Sequence, residues 1–280
     1  MTELLHYSFF TNAIIGVLII SIAAAMVGTY IVARRLVAIS GGITHACFGG
    51  LGLGYYLGMN PIAMAAVFAV ASAVGVEWMS TRYRVREDSA IAVIWSLGMA
   101  VGVLFVFLTP GFVPELNAFL FGNILNISAT DLLIFAGYTV LLAALFVWKF
   151  REIVICAFDR DFAGVAGLNV KAVNFTMTVM VALCIVLTIK LVGIMLLMSM
   201  ISLPQMTAEV FCNRFKTIMW LSIAVSVIGC LAGLIISAYI NVPCSALIVV
   251  VQALMFVGAK LWHELHRRYC LRQGGANTQR

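Results

Sequence analysis

Residues 9–33 read FFTNAIIGVLIISIAAAMVGTYIVA, a run without a single Asp, Glu, Lys, Arg or His. A helix crosses the ~30 Å hydrocarbon core of a bilayer with about 20 mostly apolar residues, and this run is longer than that. The first 33 residues hold no Lys or Arg. A cleavable signal peptide wants a positive leading region and a small-residue cleavage site; neither is clear, so the run is expected to be a permanent span.

Further apolar runs follow at 37–57, 61–81, 89–108, 131–148, 172–190, 191–211, 217–238 and 243–261. The second is rich in glycine and the seventh contains Pro204. Either could be broken or re-entrant, so the expectation is eight to nine transmembrane helices. The composition agrees. Of 280 residues, 64% are hydrophobic and 10% charged, against about 45–50% and about 25% in soluble domains. That much apolar surface cannot be hidden from water, which excludes a soluble domain and a disordered chain. The fold class expected is an all-α integral membrane protein, a polytopic bundle forming one transmembrane domain over 1–280, with a cytoplasmic tail at 262–280.

The charges orient the bundle. Arg34 and Arg35; Arg82, Arg84 and Arg86; Lys149, Arg151, Arg160 and Lys171; Arg214 and Lys216; and Lys260, Arg267, Arg268, Arg272 and Arg280 all fall on one side of a nine-span map. These are 16 of the 17 basic residues, and only Lys190 falls outside. Lys190 stands at a helix end, where it can snorkel. Basic loops face the cytoplasm, so the N-terminus is expected outside and the C-terminus inside. The basic balance does not point to nucleic acid, because the charges sit in short clusters between apolar runs rather than on one basic face. Seven scattered cysteines form neither a disulfide framework nor a CxxC metal site.

Polar punctuation inside the spans marks candidate function. Segment 40–58, SGGITHACFGGLGLGYYLG, places Gly41, Gly49 and Gly52 near the helical face of His45. Small residues let membrane helices approach closely, so this helix should pack against protein with His45 pointing inward. An ionisable residue at membrane depth is a functional candidate; the bland alternative is a histidine bonded to a neighbouring carbonyl. In 191–211, Pro204 should bend or break the helix, and Gln205 and Glu209 share a face. The methionines of that run are soft-ligand candidates, or simply flexible packing. Glu209 has a surface ion pair with Arg214 as its plain reading. At Glu87-Asp88-Ser89, Asp88 or Ser89 is expected to cap the fourth span.

Between spans, 149–171 is amphipathic. Phe158, Phe162 and Val165 would form a short apolar ridge, with Asp159, Arg160 and Asp161 around it. Such a helix suits either docking into a groove on a partner or lying on the bilayer surface. There is no GxxxxGK[ST] sequence, so any ATP must be bound by another chain. HELH at 263–266 lacks the HExxH spacing of a zinc hydrolase.

Taken together these segments resemble the permease subunit of the zinc/manganese/iron ATP-binding-cassette importers, the ABC-3 family. AISGGITHACFGGLGLGYYLG is similar to its "GDAxSHAxLPGxALG" segment, and REDSAIAVIWSLGMAVG to its "xDTAIGIxFSxxxALG" segment. AFLFGNILNISATDL resembles "xxLFGNILxxxxxDL", FDRDFAGVAGLNV resembles "FDxxxAxxxGxPV", and VGIMLLMSMISLPQMTAEVF resembles "VGxxLxxAxLxxPAATAxxx". The order and spacing make the five together specific.

The resemblance implies a transport subunit rather than an enzyme: a homodimer in a prokaryotic cell membrane, with its pathway at the subunit interface. A cytoplasmic ATPase would bind ATP and dock on a coupling segment at 156–168, including Phe158, Asp159, Arg160, Phe162, Ala163 and Gly167. An extracytoplasmic solute-binding protein would deliver a divalent metal ion, the transported substrate. No cofactor would be bound permanently. His45 matches the family's metal-contacting His, and Asp88 the Asp that opens its next motif. The chain departs from the pattern at Gly41, where the family usually carries an Asp, at Gly49, where it has Pro, and at Gln205-Met206 within the Pro204 motif. Losing a carboxylate makes Mn²⁺ less comfortable, unless Gln205 or Glu209 replaces it. The competing expectations are an ion-coupled secondary transporter, an ABC permease for a non-metal substrate, and an intramembrane enzyme. The last would need a nucleophile–base pair that is not found.

Overall fold

The computed structural model describes residues 8–110, 122, 124 and 127–277. Most of the outer stretch expected between 109 and 130 lies outside the described residues. The elements are α1 (Ser8–Ala33), α2 (Val37–Leu57), α3 (Pro61–Tyr83), α4 (Glu87–Leu108), α5 (Ala129–Phe158), α6 (Arg160–Val165), α7 (Val170–Val192), α8 (Ile194–Phe211), α9 (Phe215–Ile240) and α10 (Cys244–Asn277). Among the described residues, nine helices are long and apolar enough to cross a membrane. The glycine-rich second run and the Pro204 run are both unbroken helices, so the count resolves to nine.

Two expected boundaries move. The fifth span does not stop at 148. It bends at Lys149 (φ −110°, ψ 19°) and continues as helix to Phe158. At 1.5 Å per residue, its 30 residues extend about 45 Å, well beyond the ~30 Å apolar core. The continuation persists because Ile153, Cys156 and Ala157 bury one helical face. The short element of the coupling segment is therefore only α6, with Asp159 as its N-cap; the Asp159 carboxylate accepts from the Phe162 amide at 2.8 Å. The expected tail from 262 is likewise helical, an extension of α10 through Asn277.

The helices pack in two groups. In one, α2 lies along α4 and α3. In the other, α1, α8, α9 and α10 surround one another. α7 bridges by packing on α3, and α5 by packing on α1. The two groups touch through α2 and α8. Alternation of the spans puts the basic clusters and α6 at one end of the bundle. Lys190 stands at the other end and is paired with Asp131, which in turn is hydrogen-bonded to the α5 cap Ser128. The one basic residue that broke the charge pattern thus has its countercharge beside it.

Candidate functional site

α2 is buried almost wholly by protein, as its small residues predict. Residues 40–44, 46–52 and 54 are all buried. Its approach to α4 is a backbone contact. A methyl group on Gly52 would stand 2.4 Å from the Gly102 carbonyl oxygen, and one on Gly98 would stand 2.4 Å from the Ala46 Cα. Neither site has room for a side chain. Gly49 faces the Phe68 ring and the Gly98 carbonyl, and Gly50 abuts the α3 backbone at Met64 and Ala65.

His45 projects from this tightly held helix onto α4. Its ring stacks on Trp95, with centroids 4.4 Å apart and planes 10° apart. Its Nδ1 lies 3.4 Å from the Met99 Sδ. The side chain is half-buried. Among the described residues its ring rests on an indole and a thioether rather than on a backbone carbonyl. One turn earlier, Gly41 faces both helix groups. A methyl placed there would meet the Met198 Cε of α8 at 3.2 Å and the Trp95 ring at 3.3 Å. Ser40 Oγ lies 3.7 Å from the Met198 Sδ. The space that a side chain at 41 would claim is occupied by a thioether and an indole.

The other residues singled out from sequence lie elsewhere. Asp88 is exposed in the first turn of α4, seven residues and about 10 Å along the axis from Trp95. It does not cap the helix. The cap position is Arg86, which makes no side-chain capping bond. Glu209 is exposed and lines a cleft against α10 with Lys260, His263 and Glu264, and it makes no ion pair with Arg214. Gln205 is fully buried, with Nε2 donating to the Met200 and Ala24 carbonyls, each at 3.2 Å. Met200 is four residues before Pro204 and loses its helical donor to the proline ring. The Gln205 amide replaces that donor, which explains why Pro204 leaves α8 continuous. Among the described residues, no three His, Cys, Asp or Glu side chains gather as a metal-binding group.

In the first turn of α4, beside Asp88, the sequence reading missed a charged cluster. Glu87 Oε1 lies 3.3 Å from Arg160 Nη2 and 3.9 Å from Arg34 Nη2. Arg34 also donates to the Tyr30 hydroxyl at 2.9 Å. Glu87 had been considered only for its place at a helix start, so the partners two loops away went unrecognised. Phe158, Phe162 and Val165 are all exposed as the expected ridge, while Ala163 is buried beneath them and Gly167 turns the chain with φ +77°. Phe158 also meets Phe215, at the start of α9, edge to face. The sequence reading also passed over Gly98 and Gly102, although their GxxxG spacing was a visible signal of close packing.

The family model described as "ABC 3 transport family" matches residues 6–263. A probable iron transport system membrane protein of Haemophilus influenzae is 31% identical over 96% of this chain and 98% of its own length. The manganese transport system membrane protein MntC of Listeria monocytogenes is 29% identical over 92% of each chain. Among solved structures, PsaBC from Streptococcus pneumoniae in complex with Fab superposes with a TM-score of 0.81 at 27% identity, covering 92% of this chain and 93% of that one.

Proposed function

The chain belongs to the ABC 3 transport family, and on that premise we propose that it is the membrane-spanning subunit of an ATP-driven importer moving a divalent transition-metal ion into the cytoplasm. It works as a homodimer. An extracytoplasmic binding protein delivers the ion, and a cytoplasmic ATPase seats on the exposed ridge of Phe158, Phe162 and Val165. The C-terminus and α6 face the cytoplasm, in keeping with the basic residues of that end.

The observation that carries this reading is a mechanical link. Arg160 of α6 grips Glu87 at the foot of α4, and α4 supplies Trp95 and Met99, the two side chains against His45. A push on α6 therefore reaches the wall of the His45 site through one continuous helix. The same site borders α8 through Met198, so a shift of the α2–α4 group against the α1–α8–α9–α10 group opens or closes it. Rigid packed groups with two discrete arrangements are a common basis for gating. A neutral imidazole offers a lone pair at membrane depth without the cost of about 2.5–3.5 kcal/mol set by a fixed charge at the helix centre.

The experiment is ATP-dependent uptake of radioactive Zn²⁺, Fe²⁺ or Mn²⁺ into vesicles holding the chain with its ATPase and binding protein. His45→Ala should reduce uptake to background while the subunits still co-purify. Glu87→Gln should slow uptake about tenfold and leave ion binding intact. Uptake by His45→Ala at the wild-type rate would remove the histidine from the pathway, and uptake without any ATPase would favour an ion-coupled transporter.

A further inference from the structure

Resting on that reading of the site, we infer that Met99 is a specificity-determining ligand that shares the transported ion with His45, and that the pair selects zinc- and iron-like ions over manganese. The geometry is that of a chelate. Zinc binds nitrogen at about 2.0–2.1 Å and thiolate sulfur at about 2.3 Å, and a tetrahedral angle between bonds of about that length, taken here for a thioether as well, separates the donor atoms by about 3.5 Å. His45 Nδ1 and Met99 Sδ are 3.4 Å apart. An ion held by both atoms needs no rearrangement of α2 or α4, which are fixed against each other at Gly98 and Gly102.

The chemistry around the pair is equally one-sided. Position 41, one turn before His45, has no side chain, and its space is filled by Met198 and Trp95. A Cβ there would meet the Met198 Cε at 3.2 Å and the Trp95 ring at 3.3 Å, so a carboxylate would have to push these two side chains aside. Glu209 and Asp88, the acids weighed as substitutes, are exposed at the end of the bundle that carries α6. Gln205 gives its amide NH2 to two backbone carbonyls, and its amide group lies against α1 at Gly28, with its Oε1 buried and unpaired. Imidazole and thioether donors favour Zn, Fe and Cu, whereas Mn²⁺ favours carboxylate, carbonyl and water oxygen. Discrimination then comes from what replaces the ion's water. An ion that accepts nitrogen and sulfur can shed water at the site, and one that demands oxygen must keep it.

The test is equilibrium binding of Zn²⁺ and Mn²⁺ to the full-length chain in lipid nanodiscs, together with zinc K-edge absorption spectra. Wild-type protein should bind Zn²⁺ at least tenfold more tightly than Mn²⁺ and show a sulfur neighbour in the zinc spectrum. Met99→Leu keeps the volume and removes the sulfur. It should lose that neighbour and about tenfold in Zn²⁺ affinity, with Mn²⁺ affinity unchanged. Met99→Gln exchanges sulfur for oxygen and should move the preference toward Mn²⁺. A wild-type zinc spectrum without sulfur, equal affinity for the two ions, or a Met99→Leu protein that binds Zn²⁺ normally would overturn the inference. These results stand apart from the uptake assay: a transporter that needs His45 yet ignores Met99 refutes this inference alone, whereas one indifferent to His45 refutes the transport reading beneath it.

Discussion

The α2–α4 contact and the α8–α9–α10 contact share one membrane and differ in what holds them. In the first, helices meet backbone to backbone at Gly52, Gly98 and Gly102, with no room for a methyl group. In the second, a close approach recurs at Gly233, where a methyl would stand 2.7 Å from the Ile248 Cα, but hydrogen bonds between side chains are added to it. Ser199 of α8 donates to Gln252 of α10 at 2.6 Å, and Gln252 Nε2 lies 3.4 Å from Cys230 Sγ of α9. All three are buried. Lipid tails are as apolar as leucine, so burying apolar surface gives membrane helices little reason to associate. They rely instead on close packing or on interhelical hydrogen bonds. In this chain the α2–α4 contact rests on the first device, and the α8–α9–α10 contact combines both. Close packing fixes α4 rigidly to the helix that bears His45. Polar pairs hold the opposing group together through bonds that tolerate small shifts.

Three substitutions would break or sharpen this contrast. The largest effect belongs to Gly98→Leu. Its side chain must enter space held by the Ala46 backbone, and overpacking of a well-packed core costs about 1–3 kcal/mol or more. We expect a loss of about 3 kcal/mol or greater, seen as a lowered melting temperature in detergent, and Gly52→Leu should behave alike. If Gly98→Leu melts like wild type, the backbone contact is not what holds the α2–α4 group together.

An intermediate effect is expected for Gln205→Leu. It strands the Met200 carbonyl that Pro204 has deprived of its donor, and a buried unsatisfied group costs about 1–3 kcal/mol. The sharper measurement is the double-mutant cycle with Pro204→Ala, which restores a backbone N–H. Pro204→Ala should recover most of the loss in the leucine background. Simple additivity would mean that the amide is not substituting for the proline.

Ser199→Ala should have the smallest effect. Interhelical hydrogen bonds in membranes average about 0.6 kcal/mol, so its melting temperature should move by only a degree or two. A loss as large as that of Gly98→Leu would erase the distinction between the two groups.

Much of this architecture could be read along the chain because the bilayer imposes simple rules. Span lengths, the one-sided basic residues and the glycines of α2 all follow from length, charge and size alone. The exposed Phe158–Phe162–Val165 ridge and the buried Ala163 also obeyed helical periodicity. What escaped notice depended on partners distant in sequence. Glu87 and Arg160 are brought together across the length of α4 and α5, and no periodicity relates them. Met99 carries no signal of its own along the chain; its significance comes from α4 setting it beside His45. The bend at Lys149 was hidden because the apolar pattern continues across it. Pro204 misled for a local reason: the compensating donor was its immediate neighbour, Gln205, read instead for its side-chain oxygen.

The Lys190–Asp131 pair has a bearing on how an ion reaches the molecule from the far side. Among the described residues, Lys190 is the lone basic group at the rim away from α6, and Asp131 cancels it. The pair therefore adds no net charge to that rim. Each charge is answered locally, so neither one reaches out to draw in or repel a dissolved ion.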